Sequence, residues 1–182
     1  NKKTNLWVEL GLQTADAQSA AFIRRGYPLS VFTQAVYALA ERNIPVVVHI
    51  ILGLPGESRE TVLRTIDYLN RLPIQGVKLQ LLHVLSDSDL ADLYRAGEYT
   101  PLEKEEYLTL VGDCIAHLRA DIVLHRLTGD GDKNTLLAPL WSLRKRDVLN
   151  HLHRYLRENH IRQGMSCKID LSVIYNKPKD VL

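Results

Sequence analysis

The sequences VELGLQT (residues 8–14) and VHIILGLPGES (residues 48–58) have the same organisation, and together they decide the fold. Each contains an apolar run with the length and β-branched content that predict a buried strand, followed by a polar loop. In the second loop Gly53, Pro55 and Gly56 give a composition that is typical of a tight turn. We therefore interpret both stretches as a strand that leads through a loop into a helix.

The remaining chain continues this alternation of strands and helices. Strands are predicted at residues 6–13, 45–52, 76–85 and 121–127, and helices at residues 16–25, 30–43, 58–71, 100–119 and 143–159. Ser30 and Ser58 are expected N-caps, and TPLE (residues 100–103) is expected to be a capping box with proline at the first helical position. Strand character returns at residues 168–175. The alternation predicts a parallel sheet, and the β-branched second strand is expected to be covered on both faces.

The composition limits the classes of protein to which the chain belongs. Its 182 residues suit one domain, and its net charge of +2 is too small to indicate a nucleic-acid partner by itself. No apolar run approaches the roughly 20 residues that span a bilayer. Cys114 and Cys167 stand apart, without a CxxC or zinc spacing, which is typical of a protein from the reducing cytoplasm. The only methionine is Met165, so we expect the chain to be a fragment.

Ligands of barrels and open α/β sheets bind at the carboxyl ends of the strands, and this rule selects a set of candidate residues. The candidates are Glu9, Gly11, Gln13, His49, Gly53, Pro55, Gly56, Glu57, Gln80, His83, Asp87, His125, Arg126 and Asp130. Glu9, Gln13 and His49 interrupt otherwise apolar strands, and a buried polar side chain needs a hydrogen-bonding partner. That partner is either another group of the protein or a ligand, and the residues alone leave both alternatives open.

The motifs ELGLQT, IRRGY, HIILGLPGE and KLQLLHVL, in this order, resemble the radical S-adenosylmethionine (SAM) superfamily. The resemblance covers about residues 5–130, and within the superfamily the chain is similar to the Elp3-like and coproporphyrinogen-dehydrogenase-like group and to the YhcC-like family of Fe–S oxidoreductases. It implies an α/β fold in which residues 1–130 form the C-terminal half of a partial (βα)6 barrel with parallel strands. Residues 131–182 are then expected to form a C-terminal helix and tail extension.

The resemblance also implies contacts between SAM and three polar residues. Gln13 matches a position that contacts the ribose, and Arg25 matches an arginine whose guanidinium pairs with the carboxylate of SAM. His49 stands where relatives often have an acidic residue that reaches the ribose. Judged without the resemblance, Arg25 is better explained as a solvated arginine at the end of a helix.

The remaining implied contacts are made to the adenine of SAM. The loop residues Gly53, Leu54 and Pro55 match a loop that lies near the adenine. The third strand is expected to offer backbone groups and apolar contact to the adenine through Leu82 and Val84.

The activity that the resemblance implies belongs to a longer protein. In the family, a CxxxCxxC motif holds a [4Fe–4S] cluster that cleaves SAM and starts radical chemistry on a substrate, which the sequence does not identify here. The motif does not occur in the 182 residues, and neither cysteine replaces it. We therefore expect the fragment to be inactive by itself and to supply one wall of the SAM pocket.

Two other functions remain open at the level of sequence. One is a cluster-free module that binds SAM or a nucleotide. The other is an enzyme fragment of an ordinary TIM-barrel type, in which His83 or His125 acts with Asp130 as acid and base.

Two kinds of macromolecular partner are also considered. The basic segment at residues 142–162 is either a solvated surface helix or a contact for RNA phosphates, since Elp3-like relatives include tRNA modifiers. A half barrel leaves the edge of its first strand unpaired, so we expect self-association or coverage of that edge by the tail. No membrane partner is expected.

Overall fold

A parallel sheet of four strands forms the centre of the computed structural model, which describes residues 6–129 and 131–169. The strands in these ranges are β1 (Val8–Gln13), β2 (Val46–Leu52), β3 (Gly76–Leu81), β4 (Val84–Leu85), β5 (Val123–Arg126) and β6 (Leu136–Ala138). The main sheet has the order β1-β2-β3-β5, and each neighbouring pair is parallel. β4 and β6 form a separate antiparallel pair. The α/β class with parallel strands is therefore confirmed.

Helices connect the parallel strands, as the alternating pattern predicts. They are α1 (Ala17–Phe22), α2 (Leu29–Ala40), α3 (Arg59–Leu69), α4 (Asp89–Arg95), α5 (Lys104–His117) and α6 (Lys145–Glu158), with a short 3-10 helix at Leu140–Leu143. Within residues 6–129 and 131–169, none of these helices has both the length and the apolar character that a membrane span requires.

The hydrophobic core lies on one face of the main sheet. It takes alternate residues from each strand, such as Val48 and Ile50 from β2 and Leu79 from β3, and packs them against α2, α3, α5 and α6. The intervening residues of these strands, among them Glu9, His49, Ile51, Lys78 and Gln80, point to the opposite side, which we call the inner face. In the described part of the chain the helices of the core cover one face of β2, while on the inner face Val47 is buried and His49 and Ile51 are partly buried. The prediction that both faces of β2 are covered is therefore met by helices on one face and only in part on the other.

The third strand is shorter than the sequence predicts. β3 ends at Leu81, and the next apolar pair, β4, leaves the main sheet to pair with β6. The prediction of one strand over residues 76–85 is therefore wrong at its end. The predicted strand at residues 168–175 lies outside the described residues, apart from positions 168 and 169, which are not in a strand.

Three helix starts were predicted from their caps, Ser30, Ser58 and TPLE, and two of these predictions are wrong. Ser58 is the N-cap of α3, and its hydroxyl accepts a hydrogen bond from the N–H of Thr61 at 3.3 Å. α2, in contrast, begins after Pro28 and not after Ser30. α5 has a capping box formed by Glu103 and Glu106, three residues beyond the predicted one, so the TPLE segment precedes the helix.

Candidate functional site

A bulge ends the first strand and places Gln13 in an unusual conformation. Gly11 pairs with His49 and Gln13 pairs with Ile50, so Leu12 is an extra residue, and it is fully buried. Gln13 has a φ of 66°, and its side chain lies over Gly11, where an added Cβ would come within 2.7 Å of Gln13 Nε2. Gln13 Oε1 is buried and has no hydrogen-bonding partner among the described residues. This oxygen can accept a hydrogen bond from an O–H or N–H group of a ligand.

Arg25 lies at the same strand end. Its Nη1 donates to the carbonyl oxygens of Thr14 at 2.6 Å and Leu12 at 3.3 Å, and its Nε donates to the carbonyl of Tyr27 at 3.2 Å. The guanidinium carbon is 5.2 Å from the centre of the Tyr27 ring, a distance that allows a cation–π contact. Arg25 follows the end of α1, and its N–H donates to the Ala20 carbonyl at 3.0 Å, but its guanidinium binds the carboxyl end of β1 and is not only solvated.

The turn between β2 and α3 requires glycine at two positions. Gly53 has a φ of 90° and Gly56 a φ of 77°, both in the left-handed region. A Cβ at Gly53 would lie 3.1 Å from Leu102 Cδ1, and the Gly53 carbonyl accepts a hydrogen bond from the Tyr99 hydroxyl at 2.8 Å. The turn is thus fixed by its backbone and by contacts from the segment before α5.

A cleft of about 590 Å³ opens beside this turn. Leu54, Pro55 and Leu82 line it, together with apolar residues of α4 and the end of α1. Arg24 and Asp89 also line the cleft, and they form an ion pair in which Arg24 Nη2 lies 2.6 Å from Asp89 Oδ2. The volume and the apolar walls with a few polar groups are those of a site for a small organic molecule.

His83 borders the same cleft in a closely fitted position. Its Nε2 lies 3.1 Å from Ser142 Oγ, and its ring lies against Gly129 and Gly131, where an added Cβ would meet the imidazole. The sequence did not indicate this use of the glycines in the TGDG turn. Asp130, the predicted acid–base partner of His83 or His125, lies outside the described residues.

Val84 lies away from the cleft. Its side chain is fully buried in a small second core with Ala91, Tyr99 and Ala138, and its backbone belongs to the pair of β4 with β6. Of the predicted adenine contacts that follow β3, the cleft therefore includes Leu82 but not Val84.

A charged cluster occupies the middle of the inner face. Glu9 Oε2 lies 2.7 Å from His49 Nε2 and 2.5 Å from Lys78 Nζ, while Trp7 Nε1 donates to Glu9 Oε1 at 3.3 Å. Hydrogen bonds from Lys78, His49 and Trp7 lower the pKa of Glu9 from 4.5 to about 2. Glu9 and His49 thus are hydrogen-bonding partners of each other, which is the first of the two alternatives that the sequence left open, a partner within the protein. Lys78 was missed, although strand alternation places it on the same face as His49.

Glu57 ties the turn to the first strand. The Thr14 hydroxyl donates to Glu57 Oε1 at 2.5 Å, and the N–H of Ala15 donates to Thr65 Oγ1 at 3.0 Å. Burial raises the pKa of the Glu57 carboxyl, although its hydrogen bond from Thr14 acts in the opposite direction. This group connects β1, the turn after β2 and α3, and so holds the strand ends in place.

The described residues include no group of side chains arranged as metal ligands. In the described ranges, no three His, Cys, Asp or Glu side chains are close enough to hold a metal ion together. Cys114 is completely buried within the core, and burial raises the pKa of its thiol, so it is a poor thiolate ligand.

Two family models match consecutive parts of the chain. Residues 2–69 match the Radical SAM superfamily, and residues 74–158 match the Radical_SAM C-terminal domain. Together the two matches include β1 to β6 and α1 to α6.

Curated relatives extend this similarity over most of the chain. The protein YtqA of Bacillus subtilis is 35% identical over 164 residues, which cover 90% of this chain and 51% of YtqA. The protein YhcC of Escherichia coli is 33% identical over 156 residues, covering 86% of this chain and 50% of YhcC. A tRNA uridine(34) acetyltransferase of Methanocaldococcus jannaschii is 26% identical over 107 residues, covering 57% of this chain and 20% of that enzyme. The chain therefore spans about half the length of YtqA and YhcC.

A solved structure has the same fold. Elp3 of Methanocaldococcus infernus, with an N-terminal deletion, superposes with a TM-score of 0.75 at 18% sequence identity. The superposition covers 87% of this chain and 37% of the Elp3 chain.

Proposed function

Since the chain belongs to the radical SAM superfamily, we propose that it supplies part of the SAM site of an enzyme in that superfamily. The observation that carries the proposal is the cleft in which Leu54 and Pro55, after β2, meet Leu82, after β3. These residues come from two neighbouring strand ends, where ligands of parallel sheets bind. The activity of the whole enzyme, with a cluster held by residues other than these, is part of the proposal and has an unknown substrate.

The other predicted SAM contacts are not among the residues that line the cleft, and their hydrogen bonds decide which of their atoms are left for SAM. Gln13 Oε1 is a buried acceptor that a ribose hydroxyl would satisfy. The contacts of Arg25 use Nε and Nη1, so pairing with the carboxylate of SAM falls to its Nη2. His49 Nε2 is bound to Glu9, and a ribose contact by His49 would have to use Nδ1. Gly53 contributes by allowing the turn that brings Leu54 and Pro55 to the cleft.

The division of chemistry follows from these contacts. Bound SAM, together with a [4Fe–4S] cluster, supplies radical chemistry in this superfamily. The residues of this chain bind and orient the adenosyl group, and the apolar walls of the cleft keep water away from it.

The first test is the addition of SAM to the 182-residue chain, followed by ¹H–¹⁵N NMR spectra. We expect weak binding, with shifts that concentrate at the residues lining the cleft and at Gln13. Gln13→Leu should weaken binding about tenfold, because it removes one hydrogen-bond acceptor and leaves the shape of the side chain similar. Gln18→Leu, a matched change at an exposed position of α1, should have no effect. The absence of shifts at the strand ends at saturating SAM would refute the proposal.

A second test isolates the role of Arg25. Arg25→Lys keeps the charge but replaces the guanidinium by a single ammonium nitrogen, which cannot hold the carbonyls at the end of β1 and the carboxylate in the same geometry. It should weaken the binding of SAM and leave the binding of 5′-methylthioadenosine, which has no carboxylate, unchanged. An equal loss for both ligands would show that Arg25 acts through the backbone of β1 and does not contact the carboxylate.

We also propose tRNA as a partner of the whole enzyme, with a contact through α6. This is supported by the distant similarity to a tRNA uridine(34) acetyltransferase and by exposed cations on or next to α6, namely Arg144, Arg146, Arg154 and Arg157. Arg154→Glu combined with Arg157→Glu should reduce both tRNA affinity and its dependence on salt concentration. Arg42→Glu combined with Arg71→Glu, at exposed positions after α2 and α3, changes the net charge by the same amount and serves as the control. Equal loss in both variants would indicate unspecific attraction.

A further inference from the structure

The cluster on the inner face fixes the hydrogen-bonding state of His49. The Glu9 carboxylate is ionised and only accepts hydrogen bonds, so the 2.7 Å contact requires that His49 Nε2 carries a proton and donates it. In the neutral imidazole, Nδ1 then holds the lone pair. A carboxylate that orients an imidazole in this way is a recurring arrangement for proton transfer.

Lys78 completes the arrangement by balancing the charge of Glu9. Its Nζ lies 2.5 Å from the same oxygen, Oε2, that His49 contacts. The positive charge of the Lys78 ammonium therefore balances the negative charge of the Glu9 carboxylate. The carboxylate orients the imidazole of His49, and the pair of Glu9 and Lys78 has no net charge. The cluster joins three neighbouring strands, and the side chain of His49 is 24% exposed and reachable from the inner face.

We propose that this cluster is an acid–base site, in which His49 Nδ1 accepts a proton from a substrate that bears a weakly acidic O–H or N–H. Glu9 and Lys78 are positioning residues. The O–H or N–H bond of the substrate breaks, its electron pair stays on oxygen or nitrogen, and a new N–H bond forms at Nδ1. No electron is exchanged, and the imidazolium that results keeps the hydrogen bond from its Nε2–H to the Glu9 carboxylate.

The assignment rests on the proposed function, because closure of a barrel is what makes the inner face a substrate-facing surface. His49 lies three residues before the end of β2 and pairs with Gly11 of β1. The side-chain amide of Gln13, the proposed ribose contact, lies over Gly11. A substrate on the inner face would thus lie next to the adenosyl group. The inference gives His49 Nδ1 to that substrate and not to the ribose.

Two measurements on the 182-residue chain test the state of the imidazole. Long-range ¹H–¹⁵N NMR should show His49 as a single Nε2–H tautomer, and Glu9→Met should convert it to a mixture. Diethyl pyrocarbonate acylates neutral imidazoles, and we expect it to modify His49 several-fold faster than the exposed His153, with the excess lost in Glu9→Met and retained in Glu9→Asp. A proton on Nδ1, or equal rates in the wild type and Glu9→Met, would overturn the inference.

The variant His49→Gln separates this inference from the proposed function. Glutamine keeps an N–H donor for Glu9 but has no basic nitrogen, so the SAM-induced shifts at the cleft should persist. Loss of those shifts in His49→Gln would make His49 a ribose contact, which overturns the acid–base role while SAM binding stands. If the wild type shows no SAM shifts but has the fixed and reactive imidazole, the proposed function fails and the assignment of the imidazole stands.

Discussion

At the scale of single residues, two glutamates respond in opposite ways to their surroundings. Glu9 is held by three donors on a half-open face, and hydrogen bonds from Lys78, His49 and Trp7 lower its pKa from 4.5 to about 2. Glu57 is half-buried behind the turn after β2, and burial raises its pKa. The stability of the protein should therefore depend on these two groups with opposite signs.

For Glu9 we predict a stabilisation that is present at neutral pH and lost in acid. Its pKa in the folded protein lies below 4.5, so its contribution is complete above that value and disappears as the pH falls towards about 2. Glu9→Gln should lower the free energy of unfolding at pH 7 by less than about 1 kcal/mol, because the side chain is 37% exposed and screened by water. Urea unfolding at pH 7, 5 and 3 should show this difference shrinking. A difference that is constant with pH would contradict the prediction.

For Glu57 we predict the opposite dependence. A carboxyl whose pKa is raised in the folded protein contributes most below its unfolded pKa, and this contribution is lost as the pH rises through the folded pKa. Glu57→Gln keeps an oxygen that accepts the Thr14 hydroxyl but does not ionise. The variant should therefore gain stability relative to the wild type between pH 4 and pH 7, measured by urea unfolding. A relative gain on acidification would show that hydrogen bonds outweigh burial at this carboxyl.

At the scale of elements, the turn between β2 and α3 provides a matched pair of glycines. Gly53 and Gly56 both have a positive φ, so alanine at either position costs about 1 kcal/mol for the backbone. Only Gly53 has a close neighbour, since a Cβ there would lie 3.1 Å from Leu102 Cδ1 and no heavy atom lies within 4 Å at Gly56. Gly53→Ala should therefore destabilise the protein more than Gly56→Ala in urea unfolding. The excess should shrink in a Gly53→Ala, Leu102→Ala double variant, and an equal cost would contradict the packing role of Gly53.

The elements also show what the sequence can predict about the site. β1, β2 and α3 lie within two residues of their predicted bounds, because their apolar runs and the Ser58 cap are local signals. The end of β3 was wrong because the apolar alternation continues through Val84, and only the distant partner β6 draws that residue into another sheet. The bulge at Gln13 and the contact between Lys78 and Glu9 depend on the register in which neighbouring strands pair. The sequence of one strand does not determine that register.

At the scale of the whole molecule, the main sheet ends on each side in an edge strand that pairs with no further described strand. β1 and β5 are its outer strands, and the side chain of Trp7, next to β1, is about half exposed. An edge strand presents unpaired N–H and C=O groups, and exposed apolar residues beside it favour pairing with another chain. We therefore predict that the 182-residue chain self-associates through β1, unless the C-terminal tail covers this edge.

Sedimentation velocity and hydrogen exchange distinguish three cases: self-association through β1, coverage of the β1 edge by the tail, and a β1 edge that is exposed to solvent. Self-association should appear as a concentration-dependent rise in mass, and Trp7→Lys should suppress it because a charge at the edge opposes pairing. Val123→Lys, at an exposed residue of β5 on the other side of the sheet, is the matched control and should leave the association intact. A monomer whose β1 amides exchange slowly would point to coverage by the tail. A monomer with fast-exchanging β1 amides would contradict both self-association and coverage by the tail, because the edge of β1 would then be exposed to solvent.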